Sequence, residues 1–303
     1  MENMGNKLPN FLIVGAAKSG TTPLYYYLKQ HPDIFIPEMK ECRFFSEMPV
    51  FQGPQSEIYR KRSTLDLDAY KLLFAPLTSE KAIGDVSPDY LYFYQNSIKN
   101  IKKIIGEPKI IITLRNPVDR AFSNYLHLVR GGWEPKTFEE ALKSEKSRKA
   151  ANELWVRYYT DIGFYYEQVR AYKENLKNVK VYIYDDFKED NMVVLKDIFS
   201  YLEVDNSFVP DIGTRYNVSG VPKNRFIHSL LAKSNIIKTL LKPLVSLVIS
   251  KEQRIKTIET LGSKLLTKPH MKPETREYLI DLYREDILKL QDYIKRDLNH
   301  WLK

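Results

Sequence analysis

Two short segments rich in cationic and hydroxyl side chains are candidates for binding an anion. The first, Gly15–Thr22, has the sequence GAAKSGTT and follows an apolar run. Its glycines allow a tight turn, and its successive N–H groups, where a helix pattern begins, suit the negative charge of a ligand. Lys18 adds a positive charge, and hydroxyl donors follow it. The predicted phosphate cradle consists of Lys18, Ser19, Gly20, Thr21 and Thr22.

The spacing in this cradle differs from that of the nucleoside-triphosphatase P-loop, G-x-x-x-x-G-K-[ST]. Gly15 and Gly20 have the P-loop separation, but Thr21 stands where the lysine belongs. The lysine lies inside the loop instead, at Lys18. The displaced lysine argues against a Mg-triphosphate site. A nucleotide kinase or nucleoside triphosphatase is therefore a disfavoured alternative.

The second segment, LRNPVDRAFS, begins at the end of another apolar run, Lys109–Leu114. Ligands of open parallel sheets bind beyond the carboxyl ends of the strands, so Arg115 stands at the expected edge. Its planar guanidinium suits a phosphate, and Ser123 follows about two helical turns later. We assign Arg115 and Ser123 to anion binding. Asp119 and Arg120 are assigned structural roles at the start of the helix.

Glu41 is the candidate general base. It follows a strand-like DIFIP segment and precedes Phe44 and Phe45. An apolar wall of this kind is expected to raise the pKa of the carboxyl and to keep water out. On the residues alone, the competing interpretation is one more surface acid in a stretch of mixed charge.

Alternating strands and helices must position these candidates. Apolar runs indicate buried parallel strands at Phe11–Val14, Lys81–Gly84, Lys109–Leu114 and Val179–Tyr184. Helix patterns occupy Thr22–Gln30, Ile98–Ile105, Val118–Val129, Phe138–Lys146, Tyr165–Asn175, Val193–Leu202 and Pro273–Ile294. This alternation predicts an α/β, three-layer, P-loop-like fold with a central parallel sheet flanked by helices.

The net charge of +9 arises from one segment. The chain has 303 residues with 47 Lys or Arg and 38 Asp or Glu, and residues 223–272 hold eleven of the bases and two of the acids. The remainder is formally neutral, which argues against a nucleic-acid-binding surface. We expect a single domain, 1–303, in which residues 226–272 form a basic helical elaboration or lid. A non-catalytic binder of anionic polymers or membranes is the alternative function.

Composition excludes several other classes. An apolar fraction of 43% argues against disorder, and the single cysteine, Cys42, excludes an internal disulfide. The five histidines lack the spacing of a metal site. Neither a secretory signal nor an apolar run of roughly 20 residues is present. We therefore expect a cytoplasmic protein without a metal, with peripheral membrane contact through the basic segment.

Five ordered segments resemble the sulfotransferases that use 3′-phosphoadenosine 5′-phosphosulfate (PAPS), most closely the carbohydrate-type branch that includes heparan sulfate sulfotransferases. They are KSGTT (18–22), PEMKECRFFSE (37–47), IGDVSPDYL (83–91), LRNPVDRAFSNY (114–125) and NVSGVPKNRFIH (217–228). RDLNHWLK (296–303) also resembles the ending of bacterial members.

This resemblance implies that three segments of the chain bind different parts of the nucleotide. The first loop is expected to hold the 5′-phosphosulfate, and Arg115 and Ser123 the 3′-phosphate. Gly220, Lys223 and Arg225 fall in the loop that closes over the nucleotide in that family.

The resemblance also implies in-line sulfuryl transfer to a hydroxyl, rather than an amine, of a carbohydrate, lipid-linked or other metabolite acceptor, leaving adenosine 3′,5′-bisphosphate. Glu41 occupies the position of the catalytic glutamate, and Lys18 would stabilise the leaving oxygen. Asp85 stands where many relatives have glutamate, so it is a candidate for contact with the acceptor. Val86 replaces a lysine of heparan-type relatives, so the resemblance does not imply a heparan-like acceptor.

Overall fold

Five parallel strands form the sheet that organises the chain. The computed structural model describes residues 8–213, 221–222, 266–267 and 269–303. In sheet order the strands are β2 (Ile34–Phe35), β3 (Ala82–Val86), β1 (Phe11–Gly15), β4 (Lys109–Leu114) and β5 (Val179–Ile183). All neighbouring pairs are parallel, with β1 in the middle. The loop that follows β1 therefore emerges at the centre of the carboxyl edge.

Helices cover both faces of this sheet. They are α1 (Thr21–Leu28), α2 (Pro54–Lys61), α3 (Leu67–Leu72), α4 (Asp89–Tyr92), α5 (Tyr94–Ile104), α6 (Pro117–Arg130), α7 (Phe138–Lys143), α8 (Glu145–Ala150), α9 (Tyr166–Asn175), α10 (Tyr184–Glu189), α11 (Asn191–Leu202) and α12 (Pro273–Ile294). Short 3₁₀ turns occupy Trp155–Arg157, Asp161–Gly163 and Asn299–Leu302, and β6 (Val221–Pro222) pairs antiparallel with β7 (Leu266–Thr267).

The alternation of side chains along β1 explains the three layers. Leu12 and Val14 belong to one buried apolar cluster, which includes residues of α5, α6, α9 and α12. Phe11 and Ile13 belong to a second cluster, which includes residues of α1 and α11. Successive side chains of a strand point to opposite faces, so both faces of this strand are buried. The predicted α/β architecture is confirmed.

Most predicted elements form close to their predicted bounds, and β4 and α12 match them. The predicted helix Phe138–Lys146 divides instead into α7 and α8 around Ser144. The Ser144 hydroxyl donates to the carbonyl of Glu140, four residues earlier, at 2.7 Å. A serine that bonds to its own backbone in this way competes with regular helix, which accounts for the division.

Helix α12 and the residues that follow it contact the start of α6 and helix α10. Trp301 is fully buried, and its carbonyl accepts a hydrogen bond from Asn116 Nδ2 at 3.2 Å. Its indole Nε1 donates to Asp185 Oδ2 at 2.9 Å, and Arg276 pairs with Asp119 at 2.8 Å. These contacts hold the segment that carries the second candidate anion site.

The predicted basic helical elaboration or lid falls mostly on residues that the structure does not describe. Of the basic segment 226–272, the described residues are 266–267 and 269–272, so its helical or lid character lies outside the described residues. The single domain stays a prediction. In the described part of the chain, no helix is long and apolar enough to cross a membrane.

Candidate functional site

A cleft with a volume of about 610 Å³ opens at the carboxyl edge of the sheet. It is lined by the loop after β1, the first turn of α1, the segment after β2, and α6. This is the edge at which ligands bind in open parallel sheets. The sequence-predicted residues that line it are Lys18, Gly20, Thr21, Thr22, Glu41, Arg115 and Ser123.

The loop between β1 and α1 lies tightly against a tyrosine. Lys18 and Gly20 have φ angles of 70° and 90°, in the left-handed region. A Cβ at Gly20 would lie 2.8 Å from the ring of Tyr184, so a larger residue would push the loop away. Thr21 begins α1, whose first-turn N–H groups have no partner within the helix. Ser19 is buried behind the loop, with an exposed fraction of 1%.

Lys18 carries a charge that its surroundings disfavour. Burial, together with repulsion from Arg130 and Arg115, lowers the pKa of the Lys18 ammonium to about 8, although Glu41 acts in the opposite direction. An anion beside this ammonium would supply the stabilisation that solvent does not.

Arg115 approaches the same loop from the end of β4. Its Nη1 lies 3.5 Å from the Lys18 carbonyl oxygen, and its Cζ lies 5.1 Å from the centroid of the Tyr184 ring. Ser123 lines the cleft from α6. Cations, hydroxyls and helix N–H groups thus converge from separate elements. Among the described residues that line the cleft, Glu41 is the one carboxylate, so this donor set suits an anionic ligand.

Glu41 faces the cleft between two cations. Its Oε1 pairs with Lys40 Nζ at 2.7 Å and its Oε2 with Arg43 Nη2 at 2.5 Å. Its backbone, at a φ of 66°, is fixed by a hydrogen bond from its N–H to the Val86 carbonyl. The structure therefore places a carboxylate beside the phosphate-type loop, held by both side-chain and main-chain contacts.

The expected rise in the pKa of Glu41 is wrong. The apolar wall does exist, because Phe44 stacks on Tyr70 at 4.2 Å between ring centroids and Phe45 is fully buried. Burial opposes ionisation of Glu41, but the attraction of Lys40 and Arg43 outweighs it and lowers the pKa of the carboxyl to about 2. Glu41 is consequently ionised throughout the neutral range.

Asp85 does not contact the cleft, which corrects its assignment as an acceptor-binding residue. It is fully buried on β3. Its carboxylate accepts hydrogen bonds from the hydroxyls of Tyr70, Ser87 and Tyr90 at 2.9, 2.7 and 2.7 Å. Strand register accounts for the difference, because Asp85 pairs beside Leu12 inside the sheet and not beyond its edge. Asp85 thus holds a buried hydroxyl network together.

The third predicted nucleotide contact lies outside the described residues. Gly220, Lys223 and Arg225 are not described, although Val221–Pro222 between them forms β6. This strand lies beside α6, the helix that carries Ser123.

Sequence reasoning missed several residues that line the cleft. His127 lies one turn after Ser123 on α6, a spacing that places both on one helix face and would have indicated it. Burial, Lys18 and Arg130 lower the pKa of His127 to about 4, so it is neutral at pH 7. Arg62 and Trp133 also line the cleft, but their segments have no periodic pattern that indicates their direction.

Comparisons with known proteins identify the family of this chain. A profile described as "Sulfotransferase family" matches residues 9–208. The crystal structure of a sulfotransferase from Alicyclobacillus acidocaldarius is 33% identical and superposes with a TM-score of 0.77, covering 98% of this chain and 100% of that one. Neither a nucleotide kinase nor a non-catalytic polymer binder, the two alternatives, is favoured by these matches.

Curated relatives match over shorter regions. The membrane-associated sulfotransferase kil1 of Dictyostelium discoideum is 33% identical over 118 residues, which is 39% of this chain and 22% of that protein. The bifunctional heparan sulfate N-deacetylase/N-sulfotransferase 4 of Mus musculus is 32% identical over 133 residues, 42% of this chain and 14% of that protein. The matched regions thus span less than a quarter of these relatives. With the profile match over residues 9–208 and the full-length structural match, the chain belongs to the sulfotransferase family.

Proposed function

We propose that this protein transfers a sulfuryl group from PAPS to a hydroxyl, rather than an amine, of a carbohydrate, lipid-linked or other small-molecule acceptor. The observation that carries the proposal is one cleft in which Glu41 stands beside Lys18 while Arg115 and Ser123 line the same space. The donor set fits an adenosine nucleotide with two anionic ends. Bound PAPS would supply the activated sulfuryl group. We expect the reaction in the cytoplasm.

Lys18, the helix N–H groups and the hydroxyls would hold one anionic end of the donor, and Arg115 and Ser123 the other. The resemblance to PAPS-dependent sulfotransferases supports this division, and the loop after β1 and helix α6 are separate elements that line the cleft. Binding at both ends would align the donor for in-line displacement. Such alignment lowers the entropic part of the activation barrier. We include Gly220, Lys223 and Arg225 as further nucleotide contacts in this proposal.

Glu41 would accept the proton of the attacking hydroxyl. A carboxylate with a pKa of about 2 is always ready to accept a proton but is a weak base. Proton transfer is therefore expected late, when the attacking oxygen has become acidic through bonding to sulfur. Lys18 would stabilise the charge that develops on the departing oxygen, an interaction stronger in the transition state than in the ground state.

The proposed function is tested directly by measuring nucleotide binding and sulfuryl transfer. Calorimetry should detect 1:1 binding of adenosine 3′,5′-bisphosphate, and sulfur-labelled PAPS incubated with a panel of hydroxyl and amine acceptors should transfer label with release of the bisphosphate. Absence of bisphosphate binding would contradict the proposed function. Transfer to amines in preference to hydroxyls would correct the acceptor class.

The pH dependence should report the ionisation of Lys18. Its charge is lost as pH rises through about 8 rather than near its ordinary 10.5. We expect kcat/KM for PAPS, which reports the free enzyme, to fall about tenfold between pH 7 and pH 9. In Lys18→Arg this decline should vanish, whatever the absolute activity, because arginine stays charged. An unchanged alkaline decline in that variant would assign it to another group.

The acceptor is expected to enter beyond Glu41, where the cleft is aromatic and cationic. Trp133 and Tyr59 line this part, with the guanidinium Cζ of Arg43 4.0 Å from the centroid of the Tyr59 ring. Arg62 lies at its mouth, exposed, and forms no ion pair with any described residue. An acceptor that presents acidic or strongly hydrogen-bonding groups to Arg62 fits this surface.

Arg62→Gln should raise the KM of the acceptor identified in the transfer assay by about tenfold with little change in kcat, the effect of losing one charged hydrogen bond. Arg60→Gln is the matched control, since Arg60 is exposed two residues earlier and does not line the cleft. Steady-state kinetics at saturating PAPS measures the acceptor KM and the kcat of both variants. Equal KM values for the two variants would remove Arg62 from the acceptor site.

A further inference from the structure

The main chain around Glu41 has a conformation that ordinary residues seldom adopt. Glu41 and Arg43 have φ angles of 66° and 57°, both in the left-handed region. Such a backbone persists only where neighbouring contacts fix it. The direction of the Glu41 carboxylate therefore depends on what holds residues 41–44, which we call the Glu41 segment.

Two side-chain hydroxyls hold the Glu41 segment. The N–H of Arg43 donates to the Ser87 hydroxyl oxygen at 3.1 Å, and the N–H of Phe44 donates to the Tyr90 hydroxyl oxygen at 2.9 Å. Ser87 and Tyr90 are fully buried, so bulk water does not substitute for them. A hydroxyl has one proton, so each can accept from the main chain only while its own proton points elsewhere.

Asp85 accepts both of these protons. Its Oδ1 accepts from Ser87 and its Oδ2 from Tyr90, each at 2.7 Å. The lone pairs of the two hydroxyls are thereby left for the N–H groups of the Glu41 segment. Tyr70 also donates to Oδ2, at 2.9 Å, but among the described residues its hydroxyl accepts from no main-chain N–H. Tyr70 thus belongs to the network without holding the segment.

We propose that Asp85 is a positioning residue for Glu41, because it directs the hydroxyl protons of Ser87 and Tyr90 away from the main chain that carries the base. The inference rests on the proposed function, in which Glu41 accepts the proton of the acceptor. It extends to Arg43, whose N–H is held by Ser87 and whose Nη2 pairs with Glu41 at 2.5 Å. The network therefore acts on the alignment of the base. The proposed nucleotide contacts lie on other elements, so nucleotide affinity should not depend on it.

Two tyrosine variants separate positioning from stability. Tyr90→Phe removes the hydroxyl that holds Phe44, whereas Tyr70→Phe, the matched control, removes a hydroxyl that donates to the same oxygen of Asp85. Both lose a buried hydrogen bond, so both should unfold at a lower urea concentration than the wild type. We expect kcat to fall on the order of tenfold in Tyr90→Phe and to stay within about threefold in Tyr70→Phe. The dissociation constant of adenosine 3′,5′-bisphosphate should stay within about threefold in both.

Asp85→Asn changes the polarity of the network while keeping the shape of the side chain. In either orientation of the amide, its NH₂ group faces Ser87 or Tyr90 and cannot accept that hydroxyl's proton. We expect kcat to fall by about 10–100-fold with little change in bisphosphate affinity. In a Glu41→Gln background, Asp85→Asn and Tyr90→Phe should alter the residual rate by less than about threefold, because residues that act through Glu41 then have no base to position.

Calorimetry, urea unfolding and single-turnover transfer separate the outcomes. Equal effects of the two tyrosine variants on kcat would overturn the proposal, as would additive losses in the Glu41→Gln background. A loss of bisphosphate affinity in proportion to turnover would also overturn it, because it would show a general structural role. If Asp85→Asn did not fold, the tyrosine pair and the Tyr90→Phe double variant would still decide. Absence of bisphosphate binding to the wild-type protein would instead refute the proposed function itself.

Discussion

Exchange of Lys18 for methionine is expected to lower kcat by about 10²–10³-fold, the effect of removing one donor that stabilises developing negative charge. Methionine keeps an unbranched side chain in the half-buried loop and removes only the ammonium. Binding of adenosine 3′,5′-bisphosphate should weaken much less, because Arg115, Ser123 and the helix N–H groups remain. Single-turnover measurement of sulfuryl transfer, with calorimetry of the bisphosphate, separates the two effects.

Lys102→Met is the control for this loss. Lys102 is an exposed lysine on α5 and does not line the cleft. Its replacement should leave transfer and binding unchanged. If Lys18→Met lost affinity and turnover in equal proportion, Lys18 would be a binding residue without a specific contribution to the transition state.

Exchange of Glu41 for glutamine should lower kcat by at least about 100-fold, the lower range for a general base. Glutamine keeps the shape of the side chain but accepts no proton. The bisphosphate should bind as well as before or more tightly, because a negative charge beside Lys18 and Arg115 has been removed. Transfer rates at saturating substrates and calorimetry provide the comparison.

Glu38→Gln is the matched control for Glu41. Glu38 lies three residues earlier in the same segment, and its side chain is 92% exposed while it pairs with Lys29. Its replacement should have no measurable effect, as expected for a surface ion pair. Full turnover in Glu41→Gln would eliminate Glu41 as the base and direct attention to neutral His127 in the same cleft.

Periodic apolar patterns account for the part of the fold that was predictable. The run that forms β4 is buried on both faces of the sheet, so hydrophobicity alone marks its bounds. The amphipathic pattern of α12 marks its bounds in the same way. By contrast, α2 carries charged and polar residues on a surface segment, and β2 has only two residues, so neither has a period to detect.

The position of the candidate site residues in the cleft was predictable where these residues lie close together in the chain. The loop after β1 combines cation, hydroxyls and glycine within eight residues, and its position in the cleft follows from the strand before it. The protonation of Glu41 was not predictable in this way. Lys40 and Arg43 are neighbours of Glu41 in the chain. The direction in which their side chains point, however, depends on the left-handed backbone of residues 41 and 43.

Asp85 shows a second limit of sequence reasoning. A carboxylate one residue before the end of β3 is either beyond the sheet edge or inside it, depending on register. Pairing of Asp85 with Leu12 places it inside, where Tyr70 and Tyr90 from other elements satisfy it. Such long-range hydroxyl partners leave no local pattern in the chain.

The hydrogen bond between Asn116 and Trp301 also bears on how the protein is made. These residues are 185 positions apart, yet their contact fixes the turn that carries Arg115. A ribosome delivers the five main strands long before it delivers Trp301, so a nascent chain can assemble the sheet while this turn still lacks its partner. Competence to bind nucleotide would then arrive after most of the fold, when residue 301 leaves the exit tunnel.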